Sequence, residues 1–111
     1  MMLEKRAVVR CESMWGKISG WLERRKAAKA RVRDDARDLL ARAPVTAYYD
    51  AQRLAARARF AGDGKGFVHW ARVAAEVARI GTGPMDINVV RAIVDEEERL
   101  AMRGKAPATR S

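Results

Sequence analysis

Apolar residues recur every three or four positions over most of this chain, and that period predicts helices rather than strands. The first stripe runs Val8, Cys11, Trp15, Ile18, Leu22, then Val32, Ala36, Leu39 and Ala43. Arg25 and Lys29 occupy the two missing steps, so the spacing continues through a charged interruption. The pattern predicts one helix over 14–42, and the stripe also allows it to be continuous with residues 3–12. About thirty helical residues would be ~45 Å long, so the helix either projects or bends near Gly16 and Gly20. Pro44 ends it, because proline disfavours helical geometry in the residue before it.

Three shorter helices follow. One is expected over 46–61, with Thr46 as N-cap and the stripe Tyr48, Ala51, Leu54, Ala55, Ala58 and Ala61. Gly62-Asp63-Gly64-Lys65-Gly66 is a turn signal. A third helix is expected over 67–80, on Phe67, Trp70, Ala71, Ala74, Val77 and Ala78, and Gly81-Thr82-Gly83-Pro84 ends it. A fourth is expected over 85–103, on Ile87, Val90, Ile93, Val94, Leu100 and Ala101, with Gly104 as its C-cap glycine. The short glycine-rich loop makes 46–80 an antiparallel hairpin, with Tyr48, Leu54, Phe67 and Trp70 as its large fillers. The expectation is therefore an all-α protein: a long N-terminal helix packed with a helical hairpin and a C-terminal helix. Residues 1–13 are an N-terminal extension, 14–104 one domain and 105–111 a disordered tail.

Composition changes the picture in two ways. The chain has 111 residues, of which 21 are Ala and 17 Arg. Alanine favours helix but buries little area, so the large apolar set is thin and the monomer marginal or dependent on a partner. The net charge of +9 invites a nucleic-acid reading until it is located. Residues 1–43 carry +6, residues 44–104 only +1 and the tail +2. No apolar run approaches the ~20 residues needed to span a bilayer, and no signal-like apolar segment follows the first residues. One cysteine excludes an internal disulfide, and the expected location is cytoplasmic or peripheral to a membrane.

Candidate chemistry is sparse. His69 is the sole imidazole. Glu76, two helical turns on, shares its face, but no serine or cysteine stands in a nucleophile context, so His69 reads as a half-exposed side chain beside Trp70. Cys11 sits on the apolar stripe as a structural thiol. Gly62–Gly66 lacks the spacing and the Ser or Thr of a P-loop. Asp95-Glu96-Glu97-Glu98 covers all sides of a helix and reads as a solvated face or as partners for nearby cations. Residues 68–94 have the helix–turn–helix order of some DNA readers, but the second helix is acidic and fits a phosphate-lined groove poorly. No catalytic, cofactor or metal residues are expected, and the chain reads as non-enzymatic.

The informative stretch is Lys17 to Arg33. Trp15, Ile18, Trp21 and Leu22 precede Arg24, Arg25, Lys26, Lys29, Arg31 and Arg33. In one reading the apolar half packs on the hairpin and the cations are solvated. In a second the helix lies on an anionic membrane. In a third the cations contact nucleic-acid phosphates. Asp34, Asp35 and Asp38 follow at once and weaken the last two. The leading expectation is a protein–protein interaction or accessory-subunit role, with self-association included and Trp15, Ile18, Trp21 and Leu22 as anchors. The alternative is polyanion binding through the six cations.

Two resemblances rest on particular residues. Ala36-Arg37-Asp38-Leu39-Leu40-Ala41-Arg42, Tyr48-Tyr49, Leu54-Ala55, Gly62-Asp63 and His69-Trp70-Ala71-Arg72-Val73-Ala74 resemble a segment of short, uncharacterised helical proteins of proteobacteria. That resemblance implies helical structure and no catalytic residue. The hairpin is also loosely similar to a single tetratricopeptide-like unit, through Gly62-Asp63 and Ala74; only the hairpin shape carries over, since no second copy follows.

Overall fold

A computed structural model describes the backbone of residues 2–105 and the side chains of residues 16–104. The described residues form four helices and no strand: α1 (Met2–Arg42), α2 (Ala47–Phe60), α3 (Gly64–Ile80) and α4 (Ile87–Lys105). The fold is all-α. The helix expected over 14–42 is continuous with the segment before it, and neither Gly16 nor Gly20 interrupts it. Residues 106–111 of the expected tail lie outside the described residues. By its internal contacts the chain divides into two units, Met1–Arg31 and Val32–Ser111.

In the second unit α2 is the central element and packs on both α3 and α4. Its buried positions are all alanines: Ala47, Ala51, Ala55 and Ala56. Alanine brings helix axes to the close end of the usual 8–10 Å separation. Ala47 and Ala51 join Val32 and Ala36 of α1 and Val73, Ala74 and Val77 of α3 in one core. Leu39, Leu40, Tyr48 and Trp70 are partly buried around it. Large fillers therefore sit at the margin of the core and small ones at its centre.

The α2–α3 connection takes three residues, Ala61 to Asp63, where five were expected. Gly62 adopts a left-handed conformation at φ +79°. Its N–H donates to the Arg59 carbonyl at 3.2 Å, and the Asp63 N–H donates to that of Ala58 at 2.9 Å. This bond pair is the Schellman closure, which satisfies carbonyls the helix end leaves free. Asp63 then caps α3 by accepting from the Gly66 N–H at 2.9 Å. The cap outweighs the poor helix propensity of Gly64 and Gly66, so α3 starts three residues earlier than the glycine count suggests. A Cβ on Gly66 would collide with the capping carboxylate of Asp63.

Other ends also differ from expectation. Thr46 precedes α2 but makes no cap bond; its hydroxyl donates to Asp50 Oδ2 at 3.1 Å. Asp86 starts α4 instead of Met85, accepting from the Asn88 N–H at 2.8 Å, as an N-cap does. The Tyr49 hydroxyl accepts from the Asp86 N–H at 2.9 Å and ties this loop to α2. Gly104 lies inside α4 and is not its cap.

The α3 stripe is shifted in phase. Val73, absent from the expected stripe, is fully buried, whereas Phe67 is 38% exposed and fills nothing central. On α4, Ile87 and Leu100 are exposed, Ile93 is buried, and the next buried position is the carboxylate Glu97.

Candidate functional site

The stretch singled out by sequence lies on α1. Ile18, Trp21 and Leu22 fall at i, i+3 and i+4, which places them on one helix face. They are 46%, 49% and 42% exposed. The Trp15 side chain lies outside the described residues. Arg25 places its guanidinium carbon 4.9 Å from the centre of the Trp21 ring, within cation–π range. Arg24, Arg25, Lys26, Lys29 and Arg31 are exposed, as is Lys17. None of these six cations forms an ion pair among the described residues.

Arg33 belongs elsewhere. It lies with Arg37 close enough to Glu76 of α3 for both to favour that carboxylate's charged form. The direct partner of Glu76 is Arg79, whose guanidinium donates to Oε1. That hydrogen bond is the main cause holding the Glu76 carboxyl below its ordinary value, and it raises Arg79. Glu76 is thus occupied by arginine and is no partner for His69.

His69 meets a different carboxylate. Its Nε2 lies 2.6 Å from Asp35 Oδ2 on α1. An ionised carboxylate only accepts, so Nε2 carries the proton in this bond. The ring also meets Trp70 edge-on at 4.9 Å. This pair joins α1 to α3 across 34 positions of sequence, and no local pattern signals it. A histidine–carboxylate pair orients an imidazole, but acyl or phosphoryl transfer also needs a nucleophile in reach. Among the described residues no group of three His, Cys, Asp or Glu side chains is placed to hold a metal ion.

The acidic run on α4 resolves into unlike members. Glu97 is 4% exposed. It accepts from Arg57 Nε at 3.0 Å and from Arg53 Nη1 at 2.9 Å. Arg53 also reaches Glu96 at 3.3 Å. The Arg57 hydrogen bond is the largest influence on Glu97 and, with Arg53, holds its carboxyl below the ordinary value against the opposing effect of burial. Sequence allowed pairing with nearby cations and did not reveal that one carboxylate is buried. The cluster clamps α4 to α2. Both arginines keep partial access to water.

A second exposed apolar group lies between the helix ends. Val45, Met85 and Ile87 are all more than half exposed. Gly83 packs so closely on the turn before α2 that a Cβ there would be 2.9 Å from the Pro44 carbonyl oxygen.

None of the described helices is long and apolar enough to cross a membrane. Comparison with known proteins adds no relative: no protein-family model, no curated protein and no solved structure matches the chain.

Proposed function

We propose that this is a small non-enzymatic interaction protein or accessory subunit that engages a protein partner through α1. The carrying observation is that Ile18, Trp21 and Leu22 share a helix face and each keep nearly half their surface in water. Scattered exposed apolar residues need no explanation, but an apolar group containing tryptophan is the composition of an interface anchor. The proposal places the protein in the cytoplasm, in keeping with a single cysteine.

The test is co-purification from the native cell with the wild-type chain and the Trp21→Ala, Leu22→Ala double variant, beside light scattering of both. The expected result is a protein partner, or a dimer mass, present for the wild type and lost for the double variant. An unchanged partner set and mass would remove the proposal. Met85→Ser on the other apolar group is expected to leave the profile intact.

Polyanion binding is the second reading. It is favoured by six cations against one carboxylate, Glu23, between Gly16 and Arg31. Phosphate contacts predict a steep linear fall of log affinity with log salt. Absence of binding to duplex DNA or anionic vesicles at low salt eliminates it.

A further inference from the structure

We propose that residues 17–31 act as a groove-binding helix whose partner is a protein with an apolar groove rimmed by carboxylates. This rests on the protein-partner reading above and supplies the chemistry of the partner.

Ile18, Trp21 and Leu22 stand at i, i+3 and i+4, and Arg25 and Lys29 continue the same line at i+7 and i+11. Apolar anchors in this order are how an amphipathic helix fills a groove. The charge pattern then selects the groove. Arg25 lies over Trp21, so a surface that covers the tryptophan also takes the guanidinium out of water. A purely apolar cover would leave that charge buried and unpaired, which is unfavourable. A carboxylate at the groove edge meets it instead, and Lys29 one turn on repeats the requirement.

The remaining cations indicate two rims. At ~100° per residue, Lys17 and Arg24 fall on one flank of the Ile18–Arg25 line and Lys26 on the other, while Arg31 lies toward the back. Glu23, the single carboxylate of the stretch, also falls toward the back of the helix, away from the line. A flat bilayer meets one side of a helix and leaves the far flank in water, whereas a groove reaches both. Nucleic-acid phosphates satisfy the cations but offer no apolar floor to Ile18, Trp21 and Leu22. A second copy docked through the same stretch brings like charges together.

The experiment uses the full chain and Ca2+-loaded calmodulin as a probe carboxylate-rimmed, methionine-lined groove. Vesicles with about one-third anionic lipid and a short DNA duplex are titrated in parallel at physiological salt. The expected result is a one-to-one complex with calmodulin, tighter than binding to vesicle or duplex. Trp21→Ala with Leu22→Ala, and separately Arg25→Glu with Lys29→Glu, should each weaken it at least about tenfold. Glu23→Gln should change it less than about twofold. Far-UV circular dichroism and the melting temperature of each variant confirm that the fold is kept.

No complex with calmodulin, preference for vesicle or duplex, a dimer that the Trp21→Ala, Leu22→Ala variant abolishes, or a complex indifferent to Arg25→Glu with Lys29→Glu would each overturn the proposal. The two levels separate in the cell. If the apolar double variant loses a protein partner that the charge-reversed variant retains, the partner chemistry falls and the interaction reading stands. If the apolar double variant loses nothing, both fall.

Discussion

Two stretches of α1 carry the same apolar period and meet different fates. Over 32–42 the stripe residues Val32, Ala36 and Leu39, with the neighbouring Leu40, enter or border the core with α2 and α3. Over 16–31 the stripe residues Ile18 and Leu22, with the neighbouring Trp21, are about half exposed. The covered stretch uses small or aliphatic residues and the exposed one uses tryptophan. Volume suited to a tight alanine core and volume suited to the proposed interface anchor are different requirements, and a single period is compatible with both. An apolar stripe therefore reports that a face is to be covered, and leaves open by what.

The sharpest way to break this comparison is to place a charge on each stretch. Ala36→Glu puts a carboxylate and extra volume into a fully buried site. The expected loss is on the order of 5 kcal/mol, read as a collapse of the urea midpoint. A loss below 1 kcal/mol would mean the 32–42 face is not covered in solution.

A second contrast sets cations that hold the fold against cations that do not. Arg53→Met with Arg57→Met strands the buried Glu97 carboxylate, at an expected cost of about 3 kcal/mol. Arg24→Gln with Lys29→Gln should stay within about 0.5 kcal/mol. The pH profile sharpens this contrast. The folded Glu97 carboxyl lies below its ordinary value near 4.5, so its pairing stabilises fully above that pH and is lost as pH falls through the lowered folded value. Acid titration of stability should show this decline in the wild type and not in the Arg53→Met, Arg57→Met variant.

Gly62→Ala comes next, because it forces an L-residue into the left-handed conformation at φ +79°. The expected cost is about 1–2 kcal/mol, measured by thermal melting. The smallest effect belongs to Trp21→Ser in the exposed stretch, expected within about 0.5 kcal/mol. A large loss there would show that Trp21 supports the fold itself and would weaken its role as an anchor.

Local signals made the four helices legible. Pro44 and the glycine pairs stop helices by backbone geometry, and the three-to-four spacing needs no tertiary knowledge. The phase of α3 was not legible, since Trp70, Ala74 and Val77 fit a stripe centred either on Phe67 or on Val73, and only packing against α1 and α2 decides. The start of α3 was misread because three glycines resemble a loop, while one capping bond from Asp63 determines the boundary. Asp35 with His69, and Glu97 with Arg53 and Arg57, join residues 34 to 44 positions apart, beyond any pattern a single sequence displays. Of the candidate surface, the residues of 17–31 were legible as a group; their exposure, and the separate place of Arg33 beside Glu76, were not.

The alanine-centred core also has a calorimetric consequence. Unfolding raises the heat capacity mainly through the apolar area it hydrates. Ala36, Ala47, Ala51, Ala55, Ala56 and Ala74 hydrate little area each when the core opens, compared with the leucines and phenylalanines of an ordinary core. The heat-capacity increment should fall below the usual ~12–15 cal/mol/K per residue, giving a stability curve that is flat on the temperature axis. Such a protein loses little on cooling and melts over a broad range, so its fraction folded changes gradually where a larger core would switch.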